Sequence, residues 1–122
     1  MENTDWKNQP DEADFGAART YLSLLVEPSE AKALAKALEH DEQIVRYRAV
    51  DLLRASGLPL ADAENPEVAR DLSKVKFGTR LSPVLLVRGE PLVIADGYHR
   101  VCASVHLGAH ETVPCRIVTR RT

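Results

Sequence analysis

The chain is short of aromatic residues, of sulfur and of net charge. One tryptophan, three tyrosines and two phenylalanines make up 5% of 122 residues. A stacking platform for single-stranded nucleic acid needs aromatic side chains interleaved with basic ones, and here Trp6, Phe15, Tyr21, Tyr47, Phe77 and Tyr98 lie scattered. Two cysteines, Cys102 and Cys115, do not build a disulfide framework, so a reduced, cytoplasmic setting is expected. No apolar run approaches the roughly 20 residues that span a bilayer. The opening stretch, Met1 to Asp14, is polar and acidic, unlike a secretory or transit leader. No membrane association is expected. A formal charge of only -2 argues against a bulk nucleic-acid coat.

What is present points to one folded domain. The hydrophobic content is 44%, and the length lies near the commonest domain size. The charge is unevenly placed. Residues 1–65 hold 13 acids and 7 bases, and residues 66–122 hold 5 acids and 9 bases. The second half therefore suits a local anionic ligand.

Residues 1–14 carry five acids, one lysine and no apolar period, and read as a flexible acidic tail in which only Trp6 has reason to dock. The single domain is expected over 15–122. Within it, 15–43 reads as a helical extension: Phe15, Ala18, Leu22, Leu25 and Val26 recur at helical spacing, Pro28 breaks the chain, and Ser29 starts a second helix with Ala33, Leu34, Ala37 and Leu38 on one face. This acidic hairpin is scaffold or a surface for a protein partner. Ile44 to Val50 alternates as a strand, followed by a short helical turn to Arg54. Residues 56–66 form a loop. Asn65 then caps a helix from Pro66 to Lys76 that Gly78 closes. Val84 to Val87 and Leu92 to Ala95 make an apolar hairpin buried on both faces, residues 98–107 a helix stopped by Gly108, and Val113 to Val118 the last strand. The fold class expected is α+β.

The stretch Ala95-Asp96-Gly97-Tyr98-His99-Arg100 runs from a buried strand straight into a helix. The first helical turn leaves unpaired N–H groups and the positive end of the dipole, which together suit a phosphate. Arg100 would grip it bidentately, and Asp96 would either cap the helix or hold the arginine. A cation at a helix N-terminus is unfavourable for the dipole, which argues for an anion there. His99 is the candidate general acid or base, the role an imidazole side chain commonly fills. Cys102 and Cys115 read as buried inert thiols. His106 and His110 are four apart, but Gly108 interrupts the helix between them, so no resident metal is expected. Arg46 and Arg48 either border the pocket or solvate strand ends, Arg88 and Arg116 read as exposed arginines, and Arg120 and Arg121 as a solvated tail.

Strand, Asp-Gly-x-His-Arg, then a helix of small residues resembles the core motif of the ParB/sulfiredoxin superfamily. Three further segments agree in order: Val45 to Arg54 (VRYRAVDLLR), Gly78 to Val87 (GTRLSPVLLV) and Gly108 to Val118 (GAHETVPCRIV). The likeness covers 44–118. The string ADGYHRVCAS also resembles that of a group of uncharacterised bacterial proteins. The resemblance implies a small ParB/sulfiredoxin-like mixed sheet with helices, carrying a pocket for nucleotide phosphates. Gly97, His99 and Arg100 match its phosphate-binding positions, and Ser82 and Pro83 match the segment bordering the nucleotide. Arg80 precedes that segment and is the outer candidate. ATP or CTP with Mg²⁺ would be the cofactor, Asp96 being the only acid in the motif. Two departures matter. Tyr98 stands where sulfiredoxins carry the catalytic cysteine, and a phenol does not replace a thiolate nucleophile. The second arginine of ParB, its arginine-rich segment and its DNA-binding and dimerisation regions have no counterpart, which argues against a DNA clamp.

The expected activity is binding of a nucleotide or another phosphate-bearing small ligand by Asp96, Gly97, Tyr98, His99 and Arg100, with hydrolysis compatible but not required. The alternative is a non-enzymatic interaction or regulatory module. A second alternative is DNA processing, for which no carboxylate cluster is present. The oligomeric state is left open.

Overall fold

A computed structural model describes residues 5–120. Its elements run α1 (Glu12–Leu22), α2 (Pro28–His40), β1 (Val45–Arg48), α3 (Ala49–Ser56), α4 (Pro66–Lys76), β2 (Val84–Arg88), β3 (Val93–Asp96), α5 (Tyr98–Leu107) and β4 (Thr112–Thr119). The four strands form one sheet in the order β1-β4-β2-β3. β1 pairs antiparallel with β4, β4 parallel with β2, and β2 antiparallel with β3. The expected α+β class is therefore present, with a mixed sheet.

Local chemistry explains the best-placed boundaries. Asn65 Oδ1 accepts from the N–H groups of Glu67 and Val68 at 2.9 and 3.2 Å, and Pro66 follows at the first helical position of α4. Pro114 interrupts β4 only where it is flanked by β1, because pairing with β2 begins at Cys115. β2 is central, and Val84, Leu85, Leu86 and Val87 are all buried.

Two apolar clusters sit on the two sides of this strand. Val84 and Leu86 pack with Ile94, Val101, Val113 and residues of α3 and α4. Leu85 and Val87 pack with Ala95 and with Ala18, Leu22, Ala31, Leu34 and Leu38 of α1 and α2. The molecule thus has three layers: the hairpin α1–α2, the sheet, and α3–α4–α5. The hairpin is one of the two lids of the core rather than an appendage to it.

The expected flexible tail over 1–14 is corrected for the residues described; residues 1–4 lie outside them. Trp6 is 7% exposed and bridges to Leu81, whose carbonyl accepts from the N–H of Lys7 at 2.8 Å. Burial of an indole on the exposed end of the main core offsets the ordering of this polar segment. α1 also begins three residues earlier than the apolar period suggests. Asp11 and Asp14 form a capping box there, with the Asp11 N–H donating to Asp14 at 3.0 Å.

Arg116 is corrected as well. It is 4% exposed. Its Nη1 donates to the carbonyls of Leu38 and Glu39 at 2.9 and 3.0 Å, its Nη2 to Gln9, and its guanidinium lies 5.5 Å over the Phe15 ring. β4 thereby supplies the donors that the last turn of α2 lacks. Arg46, Arg48 and Arg88 are exposed strand-end arginines bonded to Thr112, Ala109 and Thr119. Arg120 is paired with Glu30 at 3.0 Å, and Arg121 lies outside the described residues.

Candidate functional site at the start of α5

β3 enters α5 through Gly97, at φ 111°. A Cβ there would sit 2.4 Å from Val84 Cγ1 and 2.8 Å from Arg100 Nη2. Both the left-handed backbone and the contact with β2 therefore demand glycine. Gly97 is also the N-cap, and having no side chain it leaves the first-turn amides of Tyr98, His99 and Arg100 uncapped.

These residues open on a cleft of about 240 Å³ between α4 and α5. Its walls are Asp96, Gly97, Tyr98, His99 and Arg100 on one side and Glu67, Arg70, Asp71 and Lys74 of α4 on the other. The four α4 residues recur at i, i+3, i+4 and i+7, so one polar helical face meets the start of α5. That spacing was legible; its destination was not, because nothing local says which partner the polar face of α4 will meet. The cations are Arg70, Lys74 and Arg100, and the acids are Glu67, Asp71 and Asp96. Arg70 is paired with Glu67 at 3.2 Å. Among the described residues Lys74 has no ion-pair partner.

Arg100 is engaged by the protein itself. Nη2 donates to Asp96 at 2.8 Å, Nη1 donates to Ser82 Oγ at 2.9 Å, and Asp14 lies 3.8 Å from Nη1. Ser82 Oγ donates in turn to Asp14 at 2.7 Å. The guanidinium expected to grip an external phosphate is thus held by two internal carboxylates and a hydroxyl. Asp96 takes the second of its two expected roles, holding the arginine rather than capping the helix. Burial raises the Asp96 carboxyl above its usual range; Arg100 opposes this, and neighbouring Asp14 adds to it. One Asp96 oxygen, Oδ2, is taken by Arg100. Asp71, 8% exposed, is raised by burial too, against the pull of Arg100, Lys74, Arg70 and His99.

The other sequence-derived candidates divide. His99 lines the cleft, edge-on to Tyr98 with ring centroids 5.1 Å apart. The Tyr98 hydroxyl donates to the Pro59 carbonyl, and His106 Nε2 meets the Ala61 carbonyl at 2.8 Å, so both pin the 57–65 loop onto α5. Ser82 and buried Pro83 lie behind Arg100, outside the cleft. Arg80 is not brought to the site: it is exposed and paired with Asp5 at 3.1 Å. Cys102 and Cys115 are buried, and burial pushes the Cys115 thiol up to about 12, which keeps it protonated and inert.

No helix among the described residues is long and apolar enough to cross a membrane. Compared with protein-family models, with curated proteins and with solved structures, the chain matches none.

Proposed function

We propose that the protein binds a phosphate-bearing small ligand at the start of α5, on the ParB/sulfiredoxin-like plan that the sequence resembles. One observation carries this reading: the uncapped first turn of α5 opens on the same cleft as His99 and the unpaired Lys74. Helix amides, an ammonium and an imidazole are three kinds of donor to a phosphate oxygen. Arg70 adds charge at the rim, and Arg100 fixes the first turn from behind. At about 240 Å³ the cleft is smaller than the roughly 300–1,000 Å³ of pockets that enclose a drug-sized ligand. It fits a phosphate group, with a nucleoside, if there is one, lying outside along α4. His99 is placed to donate to a bound phosphate or to move a proton.

The test is a thermal-shift series with inorganic phosphate, ATP, CTP and GTP, with and without Mg²⁺. A ligand at about 100 times its dissociation constant stabilises by roughly 2.7 kcal/mol. Lys74→Ala is expected to weaken binding about tenfold. A native protein indifferent to all four ligands would sink the reading. It would favour an interaction module instead, for which the exposed Tyr21, Leu24 and Leu25 at the end of the helical hairpin are the supporting observation.

A further inference from the structure

The N-terminal segment places a carboxylate in a polar slot that does not need it for charge balance. Asp14 is 14% exposed in its side chain and reaches across from the first turn of α1. Its Oδ2 accepts from Ser82 Oγ at 2.7 Å, and its Oδ1 lies 3.8 Å from Arg100 Nη1. Asp96 already neutralises Arg100 through the shorter contact of 2.8 Å. Asp14 is therefore the second carboxylate on one guanidinium, and its presence opposes ionisation of Asp96. Removing Asp14 leaves Arg100 paired, with Ser82 Oγ and Nη1 as donors lining the vacated slot. The buried Nε of Arg100 has no acceptor either.

The segment that delivers Asp14 is held by buried Trp6, by backbone hydrogen bonds of Asp5 and Lys7 with Leu81, and by side-chain pairs. Trp6 lies on Leu81, Asp5 on Arg80, and Gln9 on Arg116. The Lys7 side chain is exposed and pairs with Asp11 at 2.8 Å, while its N–H donates to the Leu81 carbonyl at 2.8 Å. Ala18 and Leu22 anchor α1 in the core, so opening needs to proceed no further than the first turn of that helix.

We propose that residues 5–14 form an autoinhibitory strap whose Asp14 carboxylate occupies an anion slot on Ser82 and Arg100, so that strap docking competes with an external phosphate. This deepens the phosphate reading and rests on it. When the strap opens, Nη1 of Arg100 loses its second carboxylate, and the guanidinium that already lines the cleft gains a free edge for phosphate. Coupling of this kind is reciprocal: whatever binds the slot loosens the strap, and whatever holds the strap open tightens binding.

The experiment titrates inorganic phosphate, at constant ionic strength with chloride, into the native full chain, Asp14→Asn and Lys74→Ala. Asp14→Asn is expected to bind roughly tenfold tighter than the native chain. Because that variant also alters the capping box, trypsin cleavage after Lys7 is followed on the native chain, and the rate is expected to rise saturably with phosphate. Equal or weaker binding by Asp14→Asn, together with a cleavage rate indifferent to phosphate, overturns the strap. If that binding still depends on Lys74, the phosphate site stands without it. Absence of binding by all three proteins overturns both.

Discussion

Arg100 and Arg116 carry the same charge and meet different fates, and neither fate is set by its immediate neighbours in sequence. Arg100 satisfies two carboxylates that come from the end of β3 and the start of α1. Arg116 caps a helix almost eighty residues away in the chain. Asp71 shows the cost of such burial. Its carboxyl is raised by desolvation, so the folded protein keeps that proton to a higher pH than the unfolded chain does. As pH rises from the ordinary carboxylate range through the raised value, the unfolded state loses its proton first, and this residue's contribution to stability falls. Asp71→Asn is expected to remove that fall. The difference between variant and native urea midpoints should then grow from pH 4 to pH 7 in the variant's favour. A difference that is flat or shrinks with pH contradicts the assignment. The i, i+4 step from Asp96 to Arg100 was legible in the sequence; the third member, Asp14, was not.

At the scale of elements, what local signals could specify came out closely. α4 and α5 have the bounds expected from Asn65-Pro66, Gly97 and Gly108, because caps and stops act within a few residues. The β2–β3 hairpin and its burial on both faces follow from an unbroken apolar run. Helix α3 extends to Ser56, beyond the short turn expected, since Leu52 and Leu53 bury against the rest of the core and reward a longer helix. The N-terminal segment departs furthest. Trp6→Ala is expected to cost about 3–5 kcal/mol, the usual loss for a buried aromatic, read from denaturant unfolding, and to speed cleavage after Lys7. A loss under about 1 kcal/mol, the size of an ordinary surface change, would mean that Trp6 is no part of the core.

At the scale of the whole molecule, the 15–43 hairpin matters more than its description as an extension suggests. Leu85 and Val87 on the central strand are covered by it. Without α1 and α2 that face of β2 would meet water, and Arg116 would lose its carbonyl partners inside the structure. A chain of residues 44–122 alone is therefore expected to lack a cooperative thermal transition and to aggregate, even though it contains the whole sheet and the cleft. A sharp transition in calorimetry would contradict the three-layer account. The uneven charge of the two halves also resolves here. The acidic first half sends Asp5, Asp14 and Glu30 to Arg80, Arg100 and Arg120 of the basic second half. Much of the apparent surplus of each is spent inside the molecule.

The amino-acid sequence by itself determined the α+β class, the helices around the cleft and the glycine at its hinge. These depend on caps, stops and apolar runs that act over a few residues. Only the tertiary structure decided which charges are free. It closed Arg116 with distant acceptors, gave Arg100 a second and distant carboxylate, set Arg80 away from the cleft and brought Lys74 to it. Charge pairing depends on separation in space, and a linear pattern of residues does not specify the distance between segments that lie far apart along the chain.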